Sequence, residues 1–307
     1  MNDNDLLYKH QYGFRKNNNC SHPIIQFLNR ISEAYAKGEI TIGIFLDLKK
    51  AFDTVNHQIL LEKLKYYGFD TTALKWFESY LSNRKQYVEI NGTKSNFRTM
   101  SCGVPQGSVL GPLLFLIYIN DLPNVVDFFS LLFADDTTFL TSNKDINVLF
   151  RQTQRSLQVA AEWFQANKLT LHPEKTKYMV FTPPKTQYNV QNLSLKLNST
   201  KLERVGSDCP EKSVKFLGIQ FDDKLSWKPQ IHEIKKKLNC SNYYLAQVRN
   251  ILPTRVKLTI YNSLFRSHIE YGILAWGNAT DIHLKPLKLL QKKSCEKCGL
   301  RTIPCPY

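Results

Sequence analysis

Residues 128–141 read FFSLLFADDTTFLT, and this stretch decides the fold. Apolar side chains fill both flanks of Asp135-Asp136, which predicts two short strands around an acidic turn. Adjacent carboxylates in a tight turn repel each other, at a cost in stability unless a cation neutralises them. A solvated Asp-rich turn is the plainer reading. Flanks this apolar, however, make the turn the tip of a buried hairpin. Hard divalent cations such as magnesium take carboxylate oxygens and keep water and substrate phosphates as their other ligands.

Upstream, residues 40–46 (ITIGIFL) alternate as a half-buried strand and deliver Asp47 at its C-terminal end. Asp47 precedes a helix expected from near Lys50, so capping that helix is one role open to it. Taken with the Asp135-Asp136 turn, Asp47 completes a cradle for two ions about 3.5–4 Å apart. A third element, Gly103-Val104-Pro105-Gln106-Gly107-Ser108, opens an apolar helix expected over 108–119. Its glycines permit close backbone approach, and a helix N-terminus offers free N–H groups to phosphate or base edges. Ser108 is also a suitable N-cap.

Around these segments the periodicity predicts helices over 23–37, over QILLEKLKYYG ending at Gly68, over TTALKWFESYLSN with Thr71 or Thr72 as N-cap, and over 146–168. Asn91-Gly92 within KQYVEINGTKSNFRTM is a hairpin signal. YMVFTP reads as a strand, VKFLGIQFDD as a strand pair, and 183–212 as a loop excursion or ragged hairpin. Everything after Trp227 reads helical. The pattern is an α+β catalytic domain followed by an α-helical appendage, divided as 1–225 and 226–307.

The chain has 307 residues, 43% of them hydrophobic, with 41 Lys and Arg against 26 Asp and Glu, a net charge of +15. Such a field attracts polyanions. Most of it lies beyond residue 211, so the basic footprint is a C-terminal property. On the helix expected through WKPQIHEIKKKLNCSNYYLAQV, the buried stripe is Ile231, Ile234, Leu238, Leu245 and Val248. Lys235, Lys236 and Lys237 lie beside it and reach solvent, while Trp227, Tyr243 and Tyr244 are expected in the core, with contact to sugars as the alternative. The cysteines number seven, a poor disulfide framework. Cys295, Cys298 and Cys305 are half a zinc pattern at most and are expected as reduced thiols. The N-terminus is polar and acidic, unlike a secretory signal. The longest apolar run, about eleven residues, is too short to cross a bilayer, so an intracellular protein with no membrane span is expected.

FLDLKKAFDTVNH, GVPQGSVLGPLLFLIYINDLP, FADDTTFL, KLTLHPEKTKYMVF and KFLGIQFDDKLSW follow one another in this order, with QYGFR at 11–15 before them. Together they resemble the successive motifs of reverse transcriptases from non-LTR, LINE-type retrotransposons, particularly jockey-like elements. The resemblance implies a right-hand polymerase: palm and fingers of antiparallel sheet packed on helices, with an α-helical thumb. It implies that Asp47, Asp135 and Asp136 bind two Mg²⁺ ions, with Mn²⁺ as a possible substitute. Phe52 matches an aromatic gate under the sugar that excludes a 2′-hydroxyl. Leu48, Pro105, Gln106 and Gly107 match positions against the incoming nucleotide and template. Lys175 matches a lysine proposed to protonate leaving pyrophosphate. Phe216, Leu217 and Gly218 match the primer-grip hairpin, and Lys235, Lys236 and Lys237 fall where a thumb meets the nucleic-acid backbone. The implied partners are an RNA template, a DNA primer and dNTPs. The implied setting is the nucleus or a cytoplasmic ribonucleoprotein.

The sequence departs from the family pattern in three ways. It begins just before QYGFR, its thumb pattern fades after Gln291, and His172 stands where Asn is usual. A core shortened at both ends and lacking an endonuclease is therefore expected. An RNA-templated RNA polymerase would want a small or polar residue near the ribose, and Phe52 argues against it. The YINDLP and LSW segments fit the LINE type better than a group II intron type. The remaining alternative is an inactive retrotransposon remnant that only binds nucleic acid through its basic helices.

Overall fold

A computed structural model of the chain describes residues 6–184 and 193–299. The first helix, α1 (Ser21–Ala36), buries Ile24, Phe27, Ile31 and Ala34, spaced three and four apart on one face. Strand β1 (Ile40–Leu46) follows and is buried at every position, where a half-buried strand was expected. The reason is that both of its faces are covered, as in the centre of a layered α/β arrangement. A 3₁₀ turn (Ala51–Asp53) comes next, and α2 (His57–Tyr66) starts only at His57. The helix expected near Lys50 is only this 3₁₀ turn, whose N-cap position is Lys50 with no side-chain cap, so Asp47 caps no helix. Asn56 caps α2 by accepting the Ile59 N–H at 3.1 Å. In α3 (Thr71–Leu81) the cap is Asp70, which accepts the Ala73 N–H at 2.7 Å, rather than Thr71 or Thr72. An Asp one residue earlier already satisfies the free donor.

A protruding double hairpin contains β2 (Lys85–Gln86), β3 (Glu89–Ile90), β4 (Thr93–Lys94) and β5 (Arg98–Thr99). Asn91 and Gly92 turn it with φ of 50° and 80°, as a tight hairpin requires. Helix α4 (Leu110–Ile119) is entered as expected: Ser108 Oγ accepts the Gly111 N–H at 2.9 Å. Then come α5 (Leu122–Val125), the hairpin of β6 (Phe129–Phe133) and β7 (Asp136–Asn143), α6 (Ile146–Ala166) capped by Asp145, and β8 (Lys177–Phe181). Part of 183–212 falls outside the described residues. The rest forms a small hairpin of β9 (Lys196–Leu197) and β10 (Thr200–Lys201), then β11 (Glu203–Val205). The pair β12 (Val214–Phe216) and β13 (Ile219–Phe221) matches the strand pair expected there.

Beyond it the described chain is helical: α7 (Lys228–Gln247), α8 (Thr254–Ile260), a π-helical turn at Tyr261–Arg266, α9 (Ser267–Glu270), α10 (Ile273–Trp276) and α11 (Asp281–Cys298). Ile231, Ile234, Leu238 and Leu245 are buried as the stripe predicted, and Val248 is half-buried. Trp227 is core, but Tyr243 and Tyr244 are 61% and 56% exposed, contrary to expectation. They fall between the buried positions Asn242 and Leu245, on the face of α7 turned from its neighbours. The described cysteines form no disulfide, Cys295 and Cys298 are buried, and Cys305 lies outside the described residues.

The main sheet has the order β11-β8-β1-β7-β6, antiparallel except where β11 joins β8. Alternation along β1 sends Ile40, Ile42, Ile44 and Leu46 into one core with α2, α4 and α6. Phe45 turns to the other, with α1, β12, β13 and the C-terminal helices. This is the expected α+β architecture. Among the described residues no helix is long and apolar enough to cross a membrane.

Candidate polymerase active site

Asp47 follows the last residue of β1, and Leu46 is paired with Thr137 of β7. One further step of this antiparallel ladder sets Asp47 against Asp136, on strands whose spacing is about 4.8 Å. The backbone of Asp47 is held from the other side: its carbonyl accepts the His172 N–H at 2.8 Å, and its own N–H donates to Thr176 Oγ1 at 3.4 Å. Leu48 bridges to Leu171 in the same loop. Phe133 pairs with Asp136, which leaves Ala134 and Asp135 as a two-residue turn with Ala134 at φ 58°. A non-glycine residue in that region needs support.

The support comes from QYGFR. Gln11 is buried, and its Oε1 accepts the N–H groups of Ala134 and Gly13 at 3.1 and 2.9 Å. Tyr12 N–H donates to the Leu132 carbonyl at 2.8 Å. A Cβ on Gly13 would stand 2.2 Å from the Ala134 nitrogen. By sequence QYGFR is only the motif that precedes the others, and this role is not evident from it. The available signal was a glycine between Tyr12 and Phe14 just after a polar Gln11.

Asp47, Asp136, Lys175, Lys177, Phe216 and Leu217 line one cavity of about 250 Å³. Lys175 Nζ stands 4.0 Å from Asp47 Oδ2, both groups open to water. The Asp136 carboxyl is raised above the ordinary carboxylate range, first by burial, then by the charges of Asp135 and Asp47. The residue as a whole is solvent-exposed, so water weakens the burial effect. The repulsion remains, because the strand register imposes it. Among the described residues, no three His, Cys, Asp or Glu side chains are gathered at metal-ligand spacing. The fit to divalent cations rests on donor chemistry: hard carboxylate oxygens that repel one another, with the Lys175 ammonium no nearer than 4.0 Å to Asp47.

The other expected residues fall into two groups. Residues 103–107 lie along the 3₁₀ turn after Asp47: Gly103 N–H donates to the Val55 carbonyl at 2.7 Å and Val104 N–H to that of Phe52 at 2.8 Å. Gly103 has φ 89°, and a Cβ there would strike the Asp53 backbone. Phe52 is half-buried, 4.6 Å from the Phe115 ring and edge-on to Phe14. Gln106 is exposed and its Nε2 donates to Asp53 Oδ1 at 2.8 Å. With Pro105, His57 and Arg84 it lines a second cavity, of about 360 Å³, rather than the acid cavity. Gly107 has φ 80° with open space beside it. Leu217 and Gly218 turn the β12–β13 hairpin. Lys235, Lys236 and Lys237 are exposed on α7 and line neither cavity; Lys236 pairs with Glu233 at 3.0 Å.

The chain is similar to several known proteins. The RNA-directed DNA polymerase from mobile element jockey of Drosophila melanogaster is 29% identical, over 94% of this chain and 32% of that protein. The probable RNA-directed DNA polymerase from transposon BS, also of Drosophila melanogaster, is 30% identical over 100% of this chain and 34% of its own length. The chain thus spans about a third of the length of these curated relatives. Among solved structures, apo telomerase from Candida Tropicalis truncated from its C-terminal domain aligns with a TM-score of 0.44 and 15% identity, over 69% of this chain and 39% of that one. The family model "Reverse transcriptase (RNA-dependent DNA polymerase)" matches residues 2–221. With that match running through most of its length, the chain belongs to the reverse transcriptase family.

Proposed function

We propose that this chain is the polymerising core of a non-LTR retrotransposon reverse transcriptase, adding dNTPs to a DNA primer on an RNA template. The observation that carries the reading is the β1–β7 register, which brings Asp47 and Asp136 to one cavity with Lys175 and the 216–217 hairpin. Asp47, Asp135 and Asp136 would hold two Mg²⁺ ions, or Mn²⁺ in their place. Such ions lower the pKa of a primer 3′-hydroxyl and neutralise charge on the triphosphate. Lys175, beside Asp47, is suited to give a proton to departing pyrophosphate.

Phe52, backed by Phe115, offers a rigid ring against the sugar, and Leu48, bridged to Leu171, is a further candidate contact to the incoming nucleotide. Pro105, Gln106 and Gly107, pinned to the same turn, are suited to contact the nucleotide and template. Phe216, Leu217 and Gly218 would seat the primer end. Residues 1–225 would serve as palm and partial fingers and 226–307 as a basic thumb, with Lys235, Lys236 and Lys237 on the nucleic-acid backbone. The setting would be intracellular, in the nucleus or a cytoplasmic ribonucleoprotein.

The test is extension of a DNA primer on an RNA template by purified protein with Mg²⁺ and dNTPs. Asp136→Asn should lower the rate by roughly 100-fold or more while hybrid binding survives. A variant that extends as well as the wild type would overturn the assignment. Binding without any extension by the wild type would leave only the nucleic-acid-binding remnant.

A further inference from the structure

Leu217 lines the cavity that holds Asp47, Asp136 and Lys175. It is also half of a two-residue turn: Leu217 and Gly218 have φ of 45° and 82°. A leucine in the left-handed region does not stay there without outside contacts. These come from the connection after α9. Tyr271 Oη donates to the Leu217 carbonyl at 2.6 Å. Its ring also covers Gly218, where a Cβ would stand 3.1 Å from Tyr271 Cε1.

Tyr271 is held in turn. Its carbonyl accepts the indole N–H of Trp276, a fully buried residue, at 2.9 Å. The next residue, Gly272, has φ 65° and meets the hairpin directly, since a Cβ there would lie 2.1 Å from Ile219 Cδ1. Two glycine-containing turns from distant parts of the chain therefore interlock, and one hydrogen bond joins them at the cavity wall. The Tyr271 phenol is pushed up to about 12, by burial first and by Cys20 second, so it keeps its proton at neutral pH.

We propose that Tyr271 is a positioning residue for the polymerase site, holding the Leu217-Gly218 turn where the primer end must rest and tying that turn to the C-terminal helices. The proposal rests on reading the 216–218 hairpin as the seat of the primer. It implies that a displacement of the C-terminal helices reaches the Leu217-Gly218 turn through this phenol, beside the Gly272–Ile219 contact and the bond from Gln220 N–H to Gln230 Oε1 on α7.

Tyr271→Phe tests this, because it keeps the ring over Gly218 and removes only the hydroxyl, with its bond to Leu217 and its interaction with Cys20. In the free protein, amide hydrogen exchange in peptides covering 215–219 should quicken about fivefold, the scale of a single missing hydrogen bond, with Tm nearly unchanged. In primer extension, kcat for the first addition should fall by a similar factor of about five, while hybrid Kd and dNTP KM stay within about twofold. Unchanged exchange overturns the proposal, because the phenol then does not hold the turn. Faster exchange with unchanged kcat overturns it too, because the turn then does not set the reacting geometry. A wild-type chain that extends no primer counts against the polymerase reading itself, and the exchange measurement still decides the contact.

Discussion

Asp136 carries a charge that the folded chain disfavours. Its pKa is raised in the native state, by burial first and by Asp135 and Asp47 after it. Between the ordinary aspartate value and that raised value the native chain therefore binds more protons than the unfolded one. Stability from this group is present at low pH and is lost as pH climbs through the window. Asp136→Asn should accordingly raise the Tm of metal-free protein at pH 7, by on the order of 1–2 °C given the exposure of the site. Added Mg²⁺ should raise the Tm of the wild type more than that of the variant. Thermal melts with and without EDTA check both; a variant that melts lower than wild type would remove the repulsion argument. Phe52 gives a second prediction. Phe52→Val leaves a β-branched side chain where a ring stood on Phe115. It should shift kcat/KM toward rNTPs by roughly 10- to 100-fold. Removing the aromatic pairing also costs stability, so the comparison belongs well below the melting temperature.

The strap at residues 10–13 shows how an element, rather than a side chain, sets the acidic turn. It lies along the outer edge of β6, with Gln11 bridged to Leu132 in parallel. Leu132 N–H donates to the His10 carbonyl at 3.0 Å and Tyr12 N–H to the Leu132 carbonyl, so edge groups that would otherwise face solvent are paired. Gly13 then passes so close to Ala134 that no Cβ fits between the two backbones. Backbone cannot yield as a flexible side chain can. Gly13→Ala should therefore displace the Ala134-Asp135 turn, lowering Tm and reducing primer extension by about 10-fold or more. Retained activity in Gly13→Ala would mean that the strap is not what fixes the turn. Helix α7 works differently, keeping Ile231, Ile234, Leu238 and Leu245 inward and leaving Lys235, Lys236 and Lys237 in water. Replacing all three lysines by Ala should weaken binding to hybrid of any sequence. It should also flatten the plot of log K against log salt by about 0.9 for each phosphate that the variant no longer neutralises. Weakening confined to one template sequence would indicate base reading instead.

Across the whole molecule the two halves are not separate bodies. One apolar cluster joins Phe27 of α1, Phe45 of β1 and Phe181 of β8 to Phe216, Phe221, Trp227, Ile231 and Trp276. Cutting the chain after residue 225 would uncover that face, so the fragment should aggregate or lose cooperative melting. The sequence alone was enough for element type along most of the chain, because periodicity and turn residues are local: the Asn91-Gly92 hairpin, Ser108 before α4, the stripe on α7. It also marked Asp47, Asp135 and Asp136 as candidates, because carboxylates at the ends of apolar strands stand out from their flanks. What only the tertiary structure decided were the long-range matters. Burial of β1 on both faces depends on α1 and α6 arriving from opposite sides. The choice of Asp70 over Thr71 or Thr72 as cap depended on one residue of helix boundary. Tyr243 and Tyr244 were expected inside because aromatic rings usually are, yet which way they face depends on the helices packed against α7. Gly13 between two aromatic residues hinted at a close backbone approach, but what Gln11, Gly13 and Tyr271 meet had no local signal, because each acts on a turn more than fifty residues away. Chain pattern reports what a residue prefers; which atom it meets is set only when the sheet closes and the ends of the chain are brought to it.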